Sequence, residues 1–206
     1  VVIEKDSRAH WQATYASKAP GEVSWFQDQP RVSLDLIHQC KAPLDAPIID
    51  VGGGASTLVD YLLDEGRANV AVLDIADAAL DHARARLGAR AIEVEWIAAD
   101  VTAWRPTRQF LVWHDRAVLH FLTKAEDQAA YARTLDAALA PGGFAIFAGF
   151  APGGATRCSG LDVVQHDAAS LGALFGFLAL LDVREEAHRT PWGSEQPFRY
   201  HLFERA

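Results

Sequence analysis

The chain has 206 residues, half of them hydrophobic, enough for a single domain that buries roughly two thirds of its unfolded surface. Its formal net charge of −8, with no run of lysines or arginines, excludes the basic stripe that a nucleic-acid partner needs. No apolar run reaches the roughly 18 residues of a membrane span, and two cysteines outside any CxxC pair, Cys40 and Cys158, point to a reducing cytoplasm.

The charged stretch from Val1 to His10 has no signal-peptide core, and a chain that begins with valine and holds no methionine is expected to lack its natural start. From His10 to Gln29 the aromatics Trp11, Tyr15, Trp25 and Phe26 flank a polar link, Ser17 to Glu22. So dense an aromatic segment should pack over something, either a sheet edge or a bound cofactor. Pro30 opens a helix through Val32 to Ile37. Next comes the stretch that organises the chain. Ile48 to Val51 is apolar with Asp50 near its end, Gly52, Gly53 and Gly54 follow, and Leu58, Tyr61 and Leu62 then recur at helical spacing. Strand, tight turn and helix in that order bring free N–H groups to a ligand where a Cβ would collide.

After this helix, closed by Gly66, the spacing predicts a strand over Val70 to Asp74 and a helix capped by Asp77 that ends at Gly88. Further strands are expected over Ile92 to Ala98 and Phe110 to His114. Thr123 and Glu126 have the form of a capping box for a helix carrying Tyr131, Leu135 and Leu139, stopped at Pro141-Gly142-Gly143 before a fifth strand, Phe144 to Phe150. A glycine-rich loop, Ala151 to Gly160, leads to a helix from about 167 to 176 and two strands without a helix between them, 179–186 and 198–204. Five strand-helix alternations imply a parallel sheet covered on both faces, and the closing hairpin makes one strand antiparallel.

Asp50, Asp74, Asp100 and Asp115 stand at or beside the carboxyl ends of consecutive strands, the edge where open α/β sheets bind ligands. Asp74 lies about 20 residues past the glycine turn, where a carboxylate receives ribose hydroxyls, and Asp100 would stand beside an adenine. The third glycine of a dinucleotide fingerprint is replaced by Thr57, and no phosphate-loop Gly-Lys-Ser/Thr is present. What remains is Asp50-Val51-Gly52-Gly53-Gly54, Leu73-Asp74, Ala99-Asp100 and Pro141-Gly142-Gly143.

In these motifs and their order, over nearly its whole length, the chain resembles the class I S-adenosylmethionine-dependent methyltransferases. The resemblance implies a three-layer Rossmann-like fold with a seven-stranded, mostly parallel sheet of order 3-2-1-4-5-7-6. It implies one domain, with 1–40 as a helical cap, 46–150 as the cofactor-binding core, and 151–206 as a substrate-side loop, helix and hairpin. Gly52, Gly53 and Gly54 would lie beneath the methionine and ribose, Asp74 would take the ribose diol, and Asp100 with Val101 the adenine. The likeness also brings Trp25, Asp50, Ser56, Ile75 and His114 into the cofactor set. Ser56 stands for a usual glycine and Asp50 for a commoner glutamate, which shortens the reach toward an amino group. The segment Gly21 to Phe26 resembles the elongation-factor lysine methyltransferases, whereas His114-Asp115-Arg116-Ala117 resembles the thiopurine-type branch. The two likenesses disagree about the acceptor, a small molecule or a protein lysine.

Methyl transfer is an in-line displacement that depends on holding nucleophile and methyl close, with a base only for a protonated acceptor. Candidates at the carboxyl edge are Asp115, Arg116 and His120 after strand four, and His188 with Trp192 after strand six; Asp115, His120 and His188 are the catalytic expectation. The strand-four end lacks the Asn/Asp-Pro-Pro-Tyr/Phe motif, which disfavours nucleic-acid bases and glutamine as acceptors. Histidine and cysteine spacings fit no metal site. A non-catalytic module that binds the same cofactor, and a nicotinamide oxidoreductase, are the alternatives of other classes. The residues carry no statement of oligomeric state.

Overall fold

A computed structural model describes residues 3–206; Val1 and Val2, where the expected missing start would join, lie outside the described residues. Helix α1 (Ile3–Ser17) and α2 (Arg31–Gln39) precede β1 (Ile48–Val51), α3 (Leu58–Asp64), β2 (Val70–Asp74), α4 (Asp77–Leu87), β3 (Val94–Ala98) and β4 (Phe110–Arg116). Then follow α5 (Ala125–Ala138), β5 (Leu139–Phe150), a short hairpin of β6 (Arg157–Cys158) and β7 (Leu161–Asp162), α6 (Ala168–Leu174), β8 (Leu178–Arg189) and β9 (Glu195–Arg205). The main sheet has seven strands in the order β3-β2-β1-β4-β5-β9-β8. Strand β9 runs antiparallel to both its neighbours, β5 and β8, and β8 and β9 are the sixth and seventh strands of the expected topology.

Strand alternation sorts the core into two layers. Ile48, Val70, Val72, Val112, Ile146, Tyr200 and Leu202 point to one face, where α2, α3 and α4 pack through Leu36, Ile37, Leu58, Leu62 and Leu80. Ile49, Val51, Ala71, Leu73, Trp113, Ala145 and Phe147 point to the other, against α5 and α6 through Tyr131, Leu135 and Leu171. These strands read as unbroken apolar runs because both their faces are covered.

Local expectations shift at several ends. Ile92 is exposed and precedes β3, which starts at Val94. Thr123 is not a cap, since α5 begins after Lys124 with no side-chain cap hydrogen bond. Asp77 lies inside the first turn of α4, behind Ala76. Strand β5 starts at Leu139, and Pro141 to Gly143 lie within it, at a shift in register against β4 between Phe110 and Val112.

On the α5 face Phe175 is fully buried and stacks on Phe147, with ring centroids 4.7 Å apart and planes 10° from parallel. Phe175→Ala removes this stack and leaves a cavity, so urea unfolding should show a loss of about 3–5 kcal/mol.

Candidate functional site

The glycine turn joins β1 to α3 and closes over two carboxylates. Gly52 has a φ of +70°, and a Cβ there would run into the side chain of Val118. A Cβ on Gly53 would meet the Asp50 carboxylate, with Cγ at 2.6 Å, and one on Gly54 would meet Asp74 and, at 2.7 Å, the Cβ of Ala79. Both positions are therefore held to glycine by the acids packed beneath the turn.

Asp50 is fixed from behind. His114 sits beside it in the β1–β4 register, its Nδ1 2.7 Å from Asp50 Oδ1 and its Nε2 2.9 Å from the Ser33 hydroxyl of α2. All three side chains are buried. Asp50, His114, Ser33, Gly53 and Ser56 border a small cavity of about 50 Å³ under the N-terminal segment, which Trp25 and Arg116 also line.

A larger cavity of about 510 Å³ opens along the carboxyl edge of the sheet, within the usual range of small-molecule sites. Gly52, Asp74, Ile75, Asp100 and Val101 form one side. The Asp74 carboxyl is pushed up to about 7, chiefly by burial and secondarily by the nearby Asp50, against the pull of the Ala76 N–H that it accepts at 2.8 Å. Asp100 Oδ1 accepts from both the amide and the hydroxyl of Thr102, which leaves Oδ2 for a ligand. Across the void stand Trp11, Trp25, Arg116, His120, Phe121, Phe150, Cys158 and Phe198. The aromatic N-terminal segment thus covers the cavity and not merely a sheet edge: Trp11 meets Trp25 at 5.7 Å and Phe121 at 4.9 Å, and the Trp25 indole donates to Tyr15.

Of the three catalytic expectations the structure brings one, His120, to this cavity. Asp115 alternates with His114 and Arg116 along β4 and points to the opposite face. There it accepts the Tyr131 hydroxyl at 2.5 Å and the amides of Val118 and Leu119, fully buried, with its pKa raised by desolvation to about 6 against those three donors. That is a fastening for the turn after β4, without access to an acceptor. His188 donates from Nε2 to the Ser24 carbonyl, 2.7 Å away, and lines neither cavity described above; burial lowers its pKa. Trp192 is 60% exposed on the β8–β9 turn. Of the cofactor set, Trp25, Gly52, Asp74, Ile75, Asp100 and Val101 border the large cavity, Asp50, Gly53, Ser56 and His114 border the small one, and Gly54, packed against Asp74 and Ala79, borders neither. Phe150 stands outside the expected set, whereas Trp11 belongs to the aromatic segment expected over a sheet edge or a cofactor. Among the described residues no group of three or more His, Cys, Asp or Glu side chains is arranged around a metal position.

The stretch 48–143, from β1 into β5, matches a family model described as a methyltransferase domain. The match falls on the glycine turn and the strand tips that border both cavities. A search of curated proteins returned no match. Among solved structures, the chain is similar to an S-adenosylmethionine-dependent methyltransferase from Anabaena variabilis, with 15% identity, coverage of 100% of this chain and 96% of that one, and a TM-score of 0.76. It is also similar to the N-methyltransferase NodS of Bradyrhizobium japonicum, solved with S-adenosylhomocysteine, at 15% identity, 94% and 97% coverage, and a TM-score of 0.72. A third is the 1,6-didemethyltoxoflavin-N1-methyltransferase of Burkholderia thailandensis, at 17% identity, 100% and 88% coverage, and 0.69. At these identities the likeness is one of fold, and it extends beyond the matched domain to the closing hairpin.

The role of Asp115 in this domain is open to direct measurement. Asp115→Ala strands two buried amides and a tyrosine hydroxyl and should cost about 3 kcal/mol in urea unfolding, whereas Asp115→Asn, which keeps an acceptor oxygen, should cost less.

Proposed function

We propose that this chain is a methyltransferase that takes S-adenosylmethionine and moves its methyl group to an O, N or S nucleophile of a small molecule. One observation carries the reading. A single cavity has a glycine turn and two strand-tip carboxylates on one side and, facing them, a wall of aromatics holding Arg116 and His120. The residues fit the cofactor: Gly52 gives close backbone approach, Asp74 would accept the ribose hydroxyls, Asp100 with Val101 and Ile75 would border the adenine, and the smaller cavity against Asp50 would take the methionine end. When bound, the cofactor supplies an electrophilic methyl group. The chain's part is to bring a nucleophile into line with it and keep water out, which Trp11, Trp25 and the β6–β7 hairpin serve by covering the void.

That cover favours a small acceptor over a protein side chain, and the Burkholderia protein is itself named for 1,6-didemethyltoxoflavin. A protein lysine is the second reading, supported by Glu126, Asp127 and Asp162 at the cavity, which would attract a cationic peptide. The likeness of the 21–26 segment to lysine methyltransferases and of the β4 end to thiopurine-type enzymes divides along the same line. We read the chain as one working domain, with 1–40 as its cap, 46–150 as its cofactor core and 151–206 as its substrate side. Among the described residues no helix is long and apolar enough to cross a membrane. The two free cysteines support the cytoplasm as its place, and the net charge of −8 argues against nucleic acid as a partner.

Incubation with methyl-labelled cofactor and separate pools of metabolites and of lysate protein tests the acceptor. Label should enter the metabolite pool, and label confined to protein would favour the lysine reading. Asp74→Ala should leave the fold intact and weaken S-adenosylhomocysteine binding by about 1–3 kcal/mol, because charge-assisted hydrogen bonds are lost.

The raised Asp74 pKa adds a pH dependence. Ribose hydroxyls donate to the ionised carboxylate, so binding competes with the proton, and protonation near pH 7 in the free protein weakens it. Calorimetry should show affinity for S-adenosylhomocysteine falling about tenfold from pH 8 to pH 6, with the slope flattened in Asp74→Asn.

A further inference from the structure

His120 is 3% exposed and lines the large cavity, yet neither ring nitrogen has a hydrogen-bond partner. It sits in the turn Leu119–Phe121 after β4, and its carbonyl accepts the Val164 amide at 2.8 Å, which fastens the loop after β5 beside it. Phe121 meets the imidazole edge-on at 4.3 Å and Phe150 flanks it at 5.3 Å, so the ring is held by apolar contacts alone. Buried polar groups in folded proteins are nearly always paired, and one left unpaired against a cavity is satisfied by what fills the cavity.

The charge that acts on the ring itself, that of Arg116, bears on what that can be, although Glu126, Asp127 and Asp162 also line the cavity. Arg116 lies on the same wall, stacked over Phe198 at 4.4 Å, with Nε on the Tyr200 hydroxyl and Nη1 on the Trp25 carbonyl, while its buried Nη2 makes no hydrogen bond and stands 3.9 Å from Glu186. Burial first, then Arg116 and then His166, lower the His120 pKa to about 3. The imidazole is therefore neutral at pH 7, with one nitrogen to donate and one to accept. An alkylammonium would bring a second cation beside Arg116. Its proton, held with a pKa of about 10, would also have no acceptor in His120 able to free the nitrogen lone pair.

Resting on the methyltransferase reading, we propose that the acceptor is a flat aromatic molecule carrying a neutral hydroxyl or ring N–H, and that His120 binds this group and orients its lone pair. Trp11, Trp25, Phe121, Phe150 and Phe198 supply the aromatic slot. In the reaction the acceptor's lone pair forms the bond to the methyl carbon, and sulfur keeps the electron pair of the bond that breaks. The acceptor's proton passes to the free imidazole nitrogen and on to solvent. A weakly basic His120 suffices, because an aromatic oxygen that has gained a methyl group is a far stronger acid than imidazolium.

The test is calorimetric titration of the protein saturated with S-adenosylhomocysteine, using 2-naphthol, quinolin-4-ol and, as the matched ammonium, 2-naphthylmethylamine. The hydroxyl compounds should bind about tenfold or more tighter than the amine. His120→Phe should weaken 2-naphthol about tenfold, with part of the loss restored in His120→Gln and the affinity for S-adenosylhomocysteine unchanged in both. Equal or tighter binding of the amine overturns the proposal, as does undiminished 2-naphthol binding in His120→Phe or no binding of either hydroxyl compound. Should the variants not fold, the comparison of hydroxyl with amine on the unaltered protein still decides. Failure of that protein to bind S-adenosylhomocysteine at all is a separate result, which overturns the cofactor reading and this inference with it.

Discussion

The guanidinium of Arg116 joins the parts of the molecule that make the site. It extends from the last residue of β4, lies flat on Phe198 of β9, donates to Tyr200 of the same strand, and reaches the Trp25 carbonyl in the segment that crosses the strand tips. Tyr200 donates in turn to Glu186 of β8, and Glu186 accepts from Gln27, two residues beyond Trp25. A closed circuit of hydrogen bonds thus ties an N-terminal segment with little core of its own to three strands of the sheet. Without it Trp11 and Trp25 would have no fixed partner across the cavity, and the void would stand open to water. The Arg116–Glu186 ion pair, at 3.9 Å, is long, so the neutral and charge-assisted hydrogen bonds hold the segment more than the pair does.

Strand alternation then decides which polar residues can act. Four consecutive positions of β4 divide between the two faces: Trp113 and Asp115 turn to Tyr131 on the α5 side, and His114 and Arg116 turn to the cavities. A one-residue step separates a buried fastening from a group that lines the site. Asp115 is a carboxylate at a strand tip like Asp74, and only its parity sets it apart.

That difference marks how far the residues alone could be read. The strands, the glycine turn and the strand-tip acids are legible because each is a local pattern: apolar runs closed by an acid, glycines where no Cβ fits, and a fixed interval to Asp74; the order of the strands comes from the family resemblance instead. The place of Asp115 at a strand tip suggests a catalytic group, but the period of two along Phe110 to Arg116 turns it to the α5 face. His188 was placed at the correct edge by the topology, but its engagement with the Ser24 carbonyl depends on where a distant, irregular segment lies, and no periodicity encodes that. The capping box at Thr123 and Glu126 failed for a related reason. A local motif competes with tertiary packing, and α5 begins where Tyr131 and Leu135 can reach the sheet. The unpaired nitrogens of His120 were beyond the sequence altogether, since an absent partner is a property of the assembled wall.

The shorter acid at Asp50 has a structural answer in its neighbours. A glutamate in its place would extend one methylene further toward the methionine end of the proposed site. Here Gly53 leaves the space above the carboxylate free of any Cβ, so the turn closes onto Asp50. His114 and Ser33 support the acid from behind through two buried hydrogen bonds, fixing one oxygen toward the imidazole and turning the other toward the glycine turn. Length is thereby exchanged for rigidity. A carboxylate on a short stem, locked by a histidine that is itself locked by a serine, loses little freedom when it receives a ligand's ammonium, and a longer, unsupported one would lose more. The Ser33–His114–Asp50 row thus holds a short, preorganised carboxylate against the glycine turn.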